Sequence, residues 1–273
     1  MSKKSLKNKV VIITGASSGI GLACAKEFAA RGSKVILAAR SVDKLNELAR
    51  ELNAVATDTV AVYQTDVTNE SDCESLIRFT IDTFGKIDIL VNNAGISMRA
   101  AFQQVDLNVL RRLMEVNFWG TVYCVKYALP YLLQSKGSVV GVSSVAGLHG
   151  LPGRTGYSSS KYAMQGFLDT LRIETLKKGL HVMVAIPGFT ASNVRFSALT
   201  ADGSQQGETP RNEEKMMSAE KVAQLIANGV ERRKRTLVMT YEGKLTPLLK
   251  LLFPSWLDRM YYNHMKKEPD SPI

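Results

Sequence analysis

The sequence predicts an α/β fold built on a parallel, doubly wound sheet of seven strands with helices on both faces. Three observations lead there. Short β-branched runs alternate with helical patterns almost from end to end, several of those runs are apolar at successive positions, and a glycine-rich turn follows the first of them. Unbroken apolar runs mark strands covered on both faces, since a half-exposed strand would alternate. The 273 residues contain no long Pro/Gly/Ser linker, so residues 1–273 read as one domain with a sizeable core.

The strands are expected at residues 10–14 (VVIIT), 34–39 (KVILAA), 60–64 (VAVYQ), 87–91 (IDILV), 138–143 (SVVGVS), 181–186 (HVMVAI) and 236–239 (TLVM). The expected sheet order is 3-2-1-4-5-6-7. A first helix should open near Ile20. Residues 41–52 place Val42, Leu45, Leu48 and Leu52 on one stripe behind a Ser41 cap. Residues 71–84 carry Leu76, Ile77, Thr80, Ile81 and Phe84, with Gly85 as the stop. The pattern over 106–135 reads as two helices with a bend near Asn117, another helix covers 157–178 and ends at Gly179, and a further one starts near Ser218. Right-handed crossovers then bring all strand C-terminal ends to one edge, where ligands bind.

Composition narrows the function. A net charge of +10 is concentrated only in the N-terminal MSKKSLKNK and in ERRKR at 231–235, and neither matches a nucleic-acid motif. ERRKR follows a helical pattern, where cations oppose the negative C-terminal dipole. Cys24, Cys73 and Cys124 are odd in number and widely spaced, which argues against a disulfide framework or zinc site and fits a reducing compartment. His149, His181 and His264 have no metal-ligand spacing, and His181 reads as structural. No apolar run approaches the ~20 residues of a membrane span, so a cytoplasmic location is expected.

Each strand end then offers a motif. TGASSGIG places Gly15, Gly19 and Gly21, with Ser17, Ser18 and Ile20, between the first strand and first helix. Glycines there permit a tight turn and close backbone approach to a pyrophosphate held at the helix N-terminus. After the second strand, where an acid would bind the ribose hydroxyls of NAD, the sequence has Ala39 and Arg40. An arginine can clamp a 2'-phosphate, so NADP(H) is expected over NAD(H). Asp66 and Val67 follow the third strand, near the expected adenine. Asn93 and Gly95 of NNAG follow the fourth, near the ribose.

TGASSGIG, Asp66-Val67, NNAG, Asn117, Ser144, Tyr157 with Lys161, and Pro187-Gly188 occur in an order that resembles the short-chain dehydrogenase/reductase family over about residues 7–190. The resemblance implies a Rossmann-type domain that interconverts a carbonyl and a secondary alcohol, with no metal. Ser144, thirteen positions before Tyr157, would bond the substrate oxygen, and Tyr157 would be the acid in reduction and the base in oxidation. Lys161 would hold the nicotinamide ribose and favour the phenolate, by about 3 kcal/mol at ~5 Å and effective dielectric ~20. Asn117 would anchor a water relaying protons to Lys161, and Thr190 would touch the cofactor. A homodimer or homotetramer is also implied. The same Tyr-x3-Lys spacing recurs at Tyr262 and Lys266, far from any serine or cofactor motif, and reads as the edge of a packed terminal helix.

Residues 190–217 are polar and aperiodic and are expected to form a lid over the substrate. The extension at 245–273 mixes leucines and aromatics with Lys250, Arg259, Lys266 and Lys267. Three readings stay open for it: docking on its own core or a sister subunit, cover for a lipid-like substrate, or weak peripheral contact with a membrane. The greasy tail suggests a 3-oxoacyl or long-chain keto-lipid reductase as one alternative. A non-catalytic dinucleotide-sensing or membrane-associated scaffold is the other, against which the intact Ser144, Tyr157 and Lys161 argue.

Overall fold

In the computed structural model, residues 5–191, 194–209 and 216–273 are described. Among them, strands β1 Val10–Thr14, β2 Lys34–Ala39, β3 Val60–Gln64, β4 Ile89–Asn92, β5 Ser138–Val142, β6 His181–Ile186 and β7 Thr236–Val238 form one sheet. Every pairing is parallel and the order is β3-β2-β1-β4-β5-β6-β7. β1, β4, β5 and β6 are buried at every position, which is why their sequences do not alternate. The order reverses between β1 and β4, so their C-terminal ends open the crevice in which a ligand can sit.

Helices α1 Gly19–Ala30 and α2 Val42–Asn53 cover one face, and α3 Glu70–Phe84 covers the other. Phe28, Leu45 and Leu48 fill the first layer, and Leu76 and Ile77 the second. Asn69 starts α3 by accepting from the Ser71 amide at 3.0 Å, and Gly85, at φ 74°, stops it in the left-handed region. Ser41 precedes α2 as expected, but its side chain makes no cap hydrogen bond. β4 begins two residues later than its apolar run suggests. Asp88 stays outside the strand because its carboxylate accepts from Val10 N at 2.9 Å and Lys9 Nζ at 2.8 Å, closing the start of β1.

The pattern over 106–135 resolves into α4 Leu107–Met114, a π-helical segment Glu115–Trp119 and α5 Gly120–Gln134. The bend expected near Asn117 is thus a π insertion, a feature common at functional sites. α6 Thr155–Glu174 starts two residues before Tyr157, and a 3-10 turn carries the chain to Gly179 at φ 78°. Ser218 caps α7 Ala219–Glu231 by accepting from Lys221 N. Part of the ERRKR run also ties neighbouring elements. Glu231 is buried against Arg31 at 3.0 Å, and Arg233 donates to Lys136 O and Gly179 O at 3.1 and 2.6 Å, tying a neighbouring turn.

His181 is structural: its ring nitrogens lie 3.0 Å from Ser138 Oγ and 2.8 Å from Lys234 O. The three cysteines are free thiols, but two that are distant in sequence meet where α3 packs on α5, with Cys73 Sγ 3.6 Å from Cys124 Sγ. The extension forms α8 Tyr241–Leu252 and α9 Pro254–Lys266, anchored by the buried Gly243, Thr246, Leu257 and Met265. No helix among the described residues is long and apolar enough to cross a membrane.

Candidate active site

A cavity of about 600 Å³ runs along the strand ends. Gly15, Ser17, Ser18, Gly19, Ile20, Arg40, Asp66, Val67, Asn93, Gly95, Ser144, Tyr157, Lys161 and Thr190 all line it. Gly21 and Asn117 do not, because both sit behind the wall and shape it. A Cβ on Gly21 would lie 2.2 Å from the Gly15 carbonyl oxygen, so glycine there lets α1 abut its own loop. Gly15, at φ 66°, brings the loop against Ala94, where a Cβ would approach to 2.9 Å.

Thr14 closes the crevice at its floor. Its hydroxyl accepts from Asn93 N and Ala94 N, each at 3.0 Å, stitching the ends of β1 and β4. The Asn93 amide donates to Thr14 O at 2.9 Å and Gly15 O at 3.3 Å, so its side chain holds the glycine loop. Ser18 makes no side-chain cap bond to α1, and the first turn of α1 carries no acid. Unmet N–H groups therefore face the cavity without a competing charge, the donor set an anionic phosphate requires. Arg40 is exposed at the far end, and Asp66 is held by Thr68 N and Thr68 Oγ1 at 3.0 and 2.8 Å. These residues fit a dinucleotide: donors for the phosphates at one end, polar side chains at both, and no Cβ where the backbone must approach.

At the other end the 3-10 turn Val145–Gly147 presents Ser144, whose Oγ accepts from Ala146 N at 3.2 Å. The neighbouring Ser143 hydroxyl is engaged by Gln165 Nε2 at 2.8 Å. Tyr157 and Lys161 lie one turn apart on α6, with Nζ 5.8 Å from the phenol ring centroid. Lys161 is 4% exposed and donates to Val142 O at 2.9 Å. Burial raises the Tyr157 phenol above its usual pKa, opposed by the Ser144 hydrogen bond and the charge of Arg154. Burial of the ring acts against the phenolate that Lys161 is expected to favour. The Lys161 ammonium turns to the Val142 carbonyl, while burial sets the direction.

Asn117 is fully buried. Its Oδ1 accepts from Ile96 N at 2.9 Å, and its Nδ2 donates to Ile96 O at 3.0 Å and Ser160 Oγ at 2.9 Å. Its backbone carbonyl accepts from Thr121 Oγ1 at 3.1 Å. Arg154, also in the cavity wall, had no signal in the motif spacing. It lies 3.6 Å from Glu268, which is 3.5 Å from Arg99, so the C-terminal tail braces the active-site wall. Within the expected lid, Thr190 pairs with Met217, and Leu199 bridges to Met98 and Gln205, placing Val194, Arg195, Ser197 and Leu199 in the wall. Lid residues 192, 193 and 210–215 lie outside the described residues, as do the first four of the basic N-terminus.

Two predictions follow from these charges. Arg154→Met is expected to raise the Tyr157 pKa further, moving the acidic limb of any activity that needs the phenolate to higher pH, with Arg154→Lys restoring it. An unmoved limb would sink the assignment. Burial lowers Lys161 to about 8, below its ordinary 10.5. The unfolded chain then binds the extra proton between those values, so this residue makes stability rise with pH across that window. Unfolding midpoints of Lys161→Met should lack that increment, and equal pH slopes for the two proteins would count against it.

A sequence profile described as short chain dehydrogenase matches residues 9–202. The chain is 36% identical over 275 residues to mouse dehydrogenase/reductase SDR family member 7B, covering 99% of this chain and 85% of that protein. It is 36% identical over 272 residues to 11-beta-hydroxysteroid dehydrogenase 1A of Arabidopsis thaliana, covering 95% and 77% respectively. Among solved structures, an alcohol dehydrogenase from the archaeon Thermococcus sibiricus, complexed with 5-hydroxy-NADP, superposes with a TM-score of 0.73 at 25% identity, covering 85% of this chain and 94% of that one.

Proposed function

The chain belongs to the short-chain dehydrogenase/reductase family of oxidoreductases, and from that membership we propose that it is an NADP(H)-dependent enzyme interconverting a carbonyl and a secondary alcohol. The observation that carries the reading is one cavity joining the glycine loop and Arg40 to Ser144, Tyr157 and Lys161. When bound, the cofactor supplies or accepts the hydride. In reduction the Tyr157 hydroxyl gives its proton to the carbonyl oxygen, and in oxidation the phenolate takes it back. Ser144 donates to the same oxygen and orients it. Lys161 holds the nicotinamide ribose, and Asn117, flanking Gly95 together with Lys161, anchors the proton relay. Thr190 contacts the cofactor from the lid side.

A preference for NADP(H) is supported by Arg40 where an acid would favour NAD, and by the NADP analogue in the solved relative. The substrate is hydrophobic or medium-sized, since Ile96, Leu151, Phe189, Val194 and Leu199 line its end of the cavity. That lining also favours the narrower reading of a 3-oxoacyl or keto-lipid reductase. Exposed Trp119, Tyr131, Ile173 and Leu176 on and beside α5 and α6 support a homodimer or homotetramer. The free thiols agree with a reducing, cytoplasmic setting.

The test is a panel of aldehydes, ketones, keto-lipids and steroids, with loss of reduced-nicotinamide absorbance as the readout. NADPH oxidation with at least one carbonyl is expected. Cofactor binding without turnover across the panel would favour the sensing scaffold instead.

A further inference from the structure

The C-terminal helices leave an apolar surface uncovered. Leu248, Leu251, Leu252, Phe253 and Trp256 are 54, 78, 57, 57 and 55% exposed, around the joint where α8 ends and Pro254 starts α9. The ten residues PLLKLLFPSW at 247–256 carry one charge, Lys250. These side chains do not await the chain's own core, because the same helices are already seated by Gly243, Thr246, Leu257 and Met265. Lys250 further pins α8 by donating to Tyr162 Oη at 2.7 Å and Leu148 O at 3.3 Å.

We propose that the tip at residues 248–256 docks on an anionic lipid bilayer. Charge complementarity selects that occupant: residues 241–267 carry five lysines and arginines against two acids, with Lys244, Arg259, Lys266 and Lys267 all exposed. Exposed leucines and aromatics on a short helical reversal, flanked by lysine and arginine, suit the interface between acyl chains and anionic headgroups. A second copy of the chain fits less well. Five side chains fall far short of the roughly 20–30 residues a side of a stable protein interface. On its inner side α9 borders a groove of about 890 Å³, and Leu151 in that groove's wall also lines the catalytic cavity. α9 thus joins the docked tip to a wall residue shared with the catalytic cavity.

The test uses the full-length protein with phosphatidylcholine vesicles, with and without phosphatidylserine. Sedimentation with the anionic vesicles is expected, together with a blue shift in tryptophan emission that is lost in Trp256→Phe, which keeps Trp119. The combined variant Leu251→Ser, Leu252→Ser, Phe253→Ser should lower partitioning about 100-fold, since three large apolar side chains no longer leave water. Its thermal midpoint and solution mass should stay those of the parent. The proposal is overturned by any of four results: no sedimentation of the parent, equal sedimentation with neutral vesicles, undiminished sedimentation of the triple variant, or a fall in the triple variant's oligomeric mass. The last would assign the tip to a second copy. None of these readouts depends on turnover, so a failed substrate panel leaves them decisive.

Discussion

Tyr157→Phe is expected to lower turnover in either direction by about 10²–10⁴-fold, the usual contribution of a positioned acid or base, while NADPH binding stays near that of the parent. Only the phenolic oxygen is removed. The ring remains packed against the cluster that includes Met98, Val109 and Leu113, so the wall keeps its shape. Because burial raises the Tyr157 pKa, the group is protonated across neutral pH and suited to donate in reduction. Oxidation needs the phenolate, so its rate should climb with pH in the parent and lose that dependence in the variant. The measurements are steady-state rates across pH and cofactor titration by fluorescence. A variant that keeps its turnover would remove Tyr157 from the proton step.

Arg40→Asp should weaken NADPH by about 100-fold, from a lost charge-assisted bond of ~1.5–3 kcal/mol and the repulsion of a new carboxylate by the 2'-phosphate. NADH should be held as well as before, or better, because an acid there can accept from the ribose hydroxyls. Arg40 sits at the exposed end of the cavity, and its backbone carbonyl accepts from Gln64 Nε2 at 3.2 Å. The carboxylate variant therefore leaves the backbone intact. Equal losses for both cofactors would mean that Arg40 is an ordinary surface cation.

The two Tyr-x3-Lys strings show what a local pattern can carry. Lys161 and Lys266 each place Nζ 5.8 Å from the ring centroid of their tyrosine, so the pairs are alike as pairs. Their surroundings separate them. Lys161 is buried against the Val142 carbonyl beside Ser144, whereas Tyr262 is 45% exposed and Lys266 lies at the surface. Position after the fifth strand already pointed to that difference, because a strand end in a doubly wound sheet faces the ligand crevice.

By itself, the sequence determined the parallel sheet and its order, the glycine turn ahead of α1, and the family. Apolar runs and the tight turn rest on residues near one another in the chain, while the family, and with it the strand order, follows from motifs spread over about residues 7–190. Only the tertiary structure decided that Gly21 and Asn117 stand behind the cavity wall, that Arg154 and Glu268 brace it, and that Cys73 meets Cys124. Those contacts join segments distant in sequence, so no local periodicity encodes them. The fate of the C-terminal leucines belongs with them. A stripe of leucines reads the same whether it is buried or bare, and only the packed chain shows that Leu251 and Leu252 are left uncovered by it while Leu257 is not.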